Sequence, residues 1–220
     1  PIVCTEDDGS IVSVEDTGGK LSERHSVEFY NGIIIPGFIN CHCHIEFSYL
    51  KEVPMQEPGL AGFLEGITKN RDNSNYDRDE AMAKADWQMA TEGVVACADI
   101  CNTSVSFEMK TKSRIKYLSL LEVYGFDSTK ALKRIEEIKS TAREASAMGL
   151  PYYIVPHSVY SVSNPLFRQI KDLAAENRVS SIHFLESEDE KRFLSDHTGK
   201  LMKAYLNILA PGGIMDPPAD

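Results

Sequence analysis

Short β-rich runs alternate with longer helical stretches from Ile33 onward, and this alternation predicts an α/β fold built on a parallel sheet. A second observation favours a closed (β/α)₈ TIM barrel over an open doubly wound sheet. No glycine-rich turn follows the first run at Ile39, whereas polar residues gather at the carboxyl ends of several runs, where barrel enzymes keep their catalysts. The runs are Ile33 to His44, Val94 to Ile100, Tyr117 to Tyr124, Tyr152 to Tyr160 and Ser180 to Leu185, so about five βα units of the barrel are expected.

Each element has its own warrant. Residues 1–35 read as short strands and turns, with Ile11 to Val14 and Val27 to Phe29 as apolar pieces around the Asp16-Thr17-Gly18-Gly19 turn. They are taken as part of a small β-sandwich domain, and residues 36–220 as the partial barrel domain. Helical spacing and good helix formers mark Asp79 to Glu92 (Ala81, Ala85, Trp87, Met89), Thr129 to Met148 (Leu132, Ile135, Ile138) and Asn164 to Asn177 (Phe167, Ile170, Leu173). Gly93, Gly149 and Asn177 supply the stops.

Composition narrows the function. With 42% hydrophobic and 25% charged residues, the chain has the makings of one substantial core. A formal net charge of -10, with lysines and arginines scattered, argues against a nucleic-acid partner and for a neutral or cationic small substrate. No apolar run approaches the roughly 20 residues that span a bilayer, so no membrane partner is expected. No charged-then-apolar leader opens the sequence, which reads as cytoplasmic. The opening at Pro1, without Met, suggests leading residues beyond this sequence. The five cysteines, Cys4, Cys41, Cys43, Cys97 and Cys101, sit mostly in apolar strand-like segments and read as reduced, buried thiols.

The strongest chemical signal is Pro36-Gly37-Phe38-Ile39-Asn40-Cys41-His42-Cys43-His44. Side chains alternate along a strand, so His42 and His44 share a face and their imidazoles converge. Such a pair suits Zn²⁺ or Fe²⁺, although an isolated His-x-His is as often a pair of ordinary histidines. The same alternation turns Cys41 and Cys43 away, which disfavours a Cys/His structural zinc site. A second signal, His183-Phe184-Leu185-Glu186, closes the fifth run. His183 can complete a set of three imidazoles, and Glu186 can exchange protons with an activated water. Alone, these two residues are more often surface polar groups; with His42 and His44 they gain meaning. A third, Val155-Pro156-His157-Ser158, offers His157 as a substrate contact or as a satisfied strand-end histidine. His25 and His197 have no converging partner and are expected at the surface.

With these residues in hand, the sequence resembles the amidohydrolase superfamily, in the branch of cytosine, guanine, adenosyl-homocysteine and aminofutalosine deaminases and triazine chlorohydrolases. Pro36 to His44 fits the family's first-strand phrase position by position, and Gly93 to Asp99 its second-strand phrase. Pro156-His157-Ser158 with Ser161 to Ser163 is similar to the fourth, and His183-x-x-Glu186 to the fifth. The resemblance implies one divalent metal ion, Zn²⁺ or Fe²⁺, on His42, His44 and His183, with Glu186 shuttling protons and His157 orienting a heterocyclic substrate. It implies hydrolytic deamination of a purine-, pterin- or pyrimidine-like ring. Hydrolysis of a cyclic amide or a C–Cl bond is the alternative, and an inactive barrel used as a binding module is a third reading. The family also has a His after its sixth strand and an Asp on its eighth. Residues 187–220 are too few for three more βα units, so a longer natural protein is expected, and Asp216 and Asp220 are not assigned as the ligand. A homodimer is the default expectation for a soluble enzyme.

Overall fold

A computed structural model describes residues 1–20, 25–52, 58–71 and 76–208. The turn-rich residues 209–220 lie outside them. The chain divides into two units, Pro1–Pro36 and Gly37–Asp220.

In the first unit, β1 (Ile2–Thr5) pairs antiparallel with β2 (Ile11–Glu15). The turn is closed where the Glu6 N–H donates to Ser10 O at 2.9 Å and Asp8 Oδ1 accepts the Ser10 N–H at 2.8 Å, with Gly9 supplying φ +84. Val27 to Phe29 and Ile33 to Ile35, read as strand pieces, are irregular instead. Ile33 is 90% exposed, and β-branched composition makes no strand without a ladder partner.

The second unit is built on a four-stranded parallel sheet in the order β3 (Phe38–Cys43), β4 (Val94–Cys101), β5 (Lys116–Val123), β6 (Tyr152–Pro156). A 3₁₀ turn (Ile45–Glu52), α1 (Gly59–Asn70) and α2 (Arg78–Thr91) connect β3 to β4. Then come α3 (Phe107–Lys112), α4 (Ala131–Ala147) and α5 (Asn164–Leu173), followed by α6 (Glu188–Asp196) and α7 (Gly199–Ile208). Asp77 caps α2 by accepting the Glu80 N–H, and Gly93 and Gly149 leave α2 and α4 at φ +93 and +70. At Gly37 a side chain would overlap the methyl groups of Val95, so β3 meets β4 only because that position has no Cβ.

Alternation along the strands sorts the core into two layers. Cys101, Leu121, Val123 and Ile154 face outward onto Ile135, Ile138, Ala142, Leu166 and Ile170 of α4 and α5. Ile100, Leu120 and Val155 face the other way, with Ala98, Leu118 and Tyr153 beside them. Each fully buried aliphatic side chain contributes roughly 1.5–3 kcal/mol, so both faces are needed. Trp87, Leu132 and Phe167 share helical spacing with the core residues yet stay exposed. In α2, Met82 takes the buried position, with Ala85 and Met89 packed against the same cluster.

The expected fifth strand is a correction. Ser180 to Leu185 forms no strand; it makes one parallel bridge, Ser158 to His183, with the His183 N–H donating to His157 O at 2.7 Å. Leu185 has φ +53, which turns the chain out of the extended conformation a ladder requires. Only the Cys97 and Cys101 thiols are fully buried. Cys43 is half-buried, whereas Cys4 and Cys41 are exposed, since β1 and β3 each have a single neighbouring strand among the described residues; all five are free. No helix among the described residues is long and apolar enough to cross a membrane.

Candidate metal and catalytic site

The inward layer of the sheet runs directly into a polar cluster at the carboxyl ends of the strands. Continuing each column by two residues gives Asn102 after Ile100, Glu122 after Leu120 and His157 after Val155. His42 and His44 arrive from β3 and the residue after it, and the ring centroids of the pair lie 5.1 Å apart. His183 joins them at 4.9 Å from His42 and 5.3 Å from His44. One nitrogen from each of the three lies within 4.8 Å of the others. His25 and His197 are exposed, and His197 ends α6 in a left-handed conformation at φ +54.

The chemistry of this donor set fits a divalent metal cation, for which neutral imidazole is a common ligand. His44 supplies a further observation: its Nδ1 is buried with no hydrogen-bond partner among the described residues, a costly arrangement for a polar atom unless something else coordinates there. Burial pushes the His44 imidazole down to about 4, against a counter-pull from Glu122, so the ring is neutral and able to donate a lone pair. Cys43 packs with Ile45, Met82 and Cys97 away from the imidazoles, and neither it nor Cys41 joins a candidate metal cluster among the described residues.

Glu186 Oε1 lies 2.9 Å from His183 Nδ1, and its side chain is 39% exposed and lines the cavity. Hydrogen bonding from His183 lowers its pKa, so it is a carboxylate at neutral pH. His157 commits Nδ1 to the hydroxyls of Ser161 at 2.6 Å and Ser158 at 3.0 Å, and burial lowers its pKa. Its ring stands 5.0 Å from that of His183.

The sequence reading missed Glu122. Its Oε1 is 3.3 Å from His183 Nε2, and its Oε2 accepts from Asn102 Nδ2 at 2.7 Å. Burial raises its pKa, but the His183 and Asn102 hydrogen bonds and the nearby histidines outweigh that and hold it below the usual carboxylate range. Glu122 and Glu186 together raise His183 to about 10 in the metal-free chain. With His157 and His183, Glu122 forms a second group of three potential ligands within 4.8 Å. Period-two alternation was the available signal, since Leu118, Leu120 and Glu122 share one face of an apolar strand.

These groups line a cavity of about 760 Å³ whose opposite wall is apolar, formed by Phe47 and by Leu60, Phe63, Leu64 and Ile67 of α1 with Tyr205 of α7. Arg71 bounds it, donating to Tyr124 Oη at 2.9 Å and Asn102 Oδ1 at 3.1 Å. Glu46 fixes the loop after β4 by accepting the Asn102 N–H at 3.1 Å and the Thr103 N–H at 3.3 Å, and burial pushes its carboxyl up to about 7.

The second unit is thus an α/β parallel sheet that carries imidazoles and carboxylates at its carboxyl edge, and this fold has a counterpart among solved structures. The fold matches a Helicobacter pylori aminofutalosine deaminase solved with methylthio-coformycin, with a TM-score of 0.71 and 24% identity over 82% of this chain and 45% of that one. No family model matches the chain. Among curated proteins it is 25% identical to an adenosine deaminase of Helicobacter pylori, over 82% of this chain and 44% of that protein. It is also 25% identical to a 5-methylthioadenosine/S-adenosylhomocysteine deaminase of Haloarcula marismortui, over 98% of this chain and 51% of that protein. The chain is thus similar in sequence to adenosine-type deaminases. It spans about half the length of these relatives.

Proposed function

We propose that the protein is a metal-dependent hydrolytic deaminase of an adenosine-like heterocycle, replacing a ring amino group by oxygen with release of ammonia. The observation that carries this is the convergence of His42, His44 and His183 beside the Glu186 carboxylate. The similarity to an adenosine deaminase and to a 5-methylthioadenosine/S-adenosylhomocysteine deaminase supports the substrate class. By the same reading, residues 1–35 belong to a small β domain and residues 36–220 to a barrel domain.

His42, His44 and His183 would hold one Zn²⁺ or Fe²⁺. A divalent cation there supplies the Lewis acidity that makes water a nucleophile near neutral pH. Glu186, ionised at neutral pH, takes a proton from that water on its carboxylate and returns it to the departing amino nitrogen, so that neutral ammonia leaves. His157, neutral and with Nδ1 engaged by the Ser161 hydroxyl, presents Nε2 to the substrate ring and fixes its orientation. The apolar wall of α1 excludes water from the rest of the substrate.

Ammonia release from adenosine and 5-methylthioadenosine tests this, with Glu186→Gln beside the wild type at equal metal content. Wild-type turnover with a loss in the variant at the upper end of the roughly 10²–10⁴-fold range of general acid–base catalysis is expected. Undiminished turnover in Glu186→Gln would remove the proposed proton carrier.

A further inference from the structure

The Phe184–Glu186 turn lacks the usual supports. Phe184 and Leu185 are 59% and 51% exposed and belong to no core cluster among the described residues, and Leu185 stands at φ +53, a conformation that residues bearing a Cβ rarely adopt. Strand pairing contributes a single bridge at His183. Yet Glu186 must be aimed, because its carboxylate sits 2.9 Å from His183 Nδ1.

What holds the turn comes from α6. Glu190 is fully buried, and its two carboxylate oxygens accept the backbone N–H groups of the turn: Oε1 from Leu185 at 2.9 Å and Oε2 from Glu186 at 2.6 Å. Its own N–H donates to Ser187 Oγ at 3.1 Å, the cap of the helix. In an ordinary capping box the third-position carboxylate reaches back to the N–H of the cap residue. Here it reaches one and two residues further, past Ser187, and grips the backbone on which Glu186 is mounted. Charge-assisted bonds to two successive amides constrain the peptide plane, and with it the Cα–Cβ direction of Glu186.

We propose that Glu190 is a positioning residue: its buried carboxylate holds the Leu185 and Glu186 amides and so sets the Glu186 carboxylate against His183. This rests on the role given to Glu186 above, but the amide contacts can be tested apart from it. Glu190→Gln keeps the shape and converts one acceptor oxygen into an NH₂ group that cannot accept, and Glu190→Asp shortens the reach by one methylene. Either variant weakens the grip on the turn, whose two amides are adjacent and open together.

The test is amide hydrogen exchange at Leu185 and Glu186 in the full-length protein, together with kcat, KM and metal content, in wild type, Glu190→Gln, Glu190→Asp and a control, Ala142→Gly. The control loosens α4, which takes no part in the turn. In the Glu190 variants exchange at both amides should rise at least tenfold. kcat should fall roughly 10–100-fold, the usual cost of removing a group that orients a first-rank residue, with KM and metal content within about twofold. Ala142→Gly should lower thermal stability without moving any of these. Unchanged exchange at Leu185 and Glu186 would overturn the proposal, and so would faster exchange with a kcat no lower than that of the control. If the wild type releases no ammonia from any nucleoside, the deaminase reading fails, and the exchange data still decide whether Glu190 holds the turn.

Discussion

Replacing Lys110 by methionine would leave Asp99 as a buried carboxylate without its cation. Lys110 Nζ lies 2.7 Å from Asp99 Oδ2, 2.9 Å from Cys101 Sγ and 3.0 Å from Ser119 Oγ, and both charged side chains are 0% exposed. Burial pulls the ammonium pKa down, but Asp99 and Cys101 more than offset it and the group is raised overall, so it is charged. Removing one partner of such a pair costs about 3–5 kcal/mol, because the other charge stays buried. For a domain of this size that corresponds to a fall of roughly 6–20 °C in Tm. Asp99 Oδ1 also accepts the Ile45 N–H at 2.7 Å, the amide directly after His44, so the loss should loosen the end of β3 and weaken metal retention as well. Thermal unfolding of Lys110→Met beside Lys110→Met/Asp99→Asn separates the two effects. The double variant removes the stranded charge, keeps an oxygen for Ile45, and should recover most of the lost stability. A fall of less than about 2 °C in the single variant, or a double variant no more stable than the single, would refute the reasoning.

Other outcomes follow from the histidine cluster. His44 is neutral in the fold with a pKa of about 4, against about 6.5 unfolded, so its contribution is present above pH 6.5 and lost as pH falls toward 4. His183, raised to about 10, contributes stability that is complete below pH 6.5 and is lost as pH rises toward 10. Urea midpoints of the metal-free protein should therefore peak near pH 6.5, and metal, which binds neutral imidazole, should abolish the alkaline fall; a metal-free profile rising steadily from pH 6.5 to 10 would contradict this. Glu122→Gln should bring the His183 titration in the metal-free protein down from about 10 toward its ordinary range, as read by imidazole NMR, because Glu122 is the first cause of the shift. An unmoved His183 would show that Glu122 has no such hold.

Four of the strands and the three imidazoles were legible because each leaves a periodic or local mark. Alternation alone put His42 and His44 on one face, and Cys43 on the other. The fifth strand was misread because Ser180 to Leu185 has β-rich composition, while its end leaves the extended conformation at the left-handed Leu185, whose N–H goes to the Glu190 carboxylate of the next helix instead of to a ladder partner. Glu122 went unnoticed inside an apolar run, although the same alternation places it beneath His183. The α1 wall left no clear signal, since Gly59, Gly62 and Gly66 dilute its pattern and its apolar face meets the cavity and α7. The exposed Cys4 and Cys41 show that apolar neighbours in sequence do not guarantee burial at a strand with one partner.

A metal held by three imidazoles underlies the proposed chemistry, and elemental analysis of the full-length protein, wild type beside His42→Ala and His183→Ala, reads it out. One zinc or iron per chain, lost in both variants, is the predicted result. A wild type without bound metal after reconstitution, or one that keeps its metal in both variants, would contradict the account.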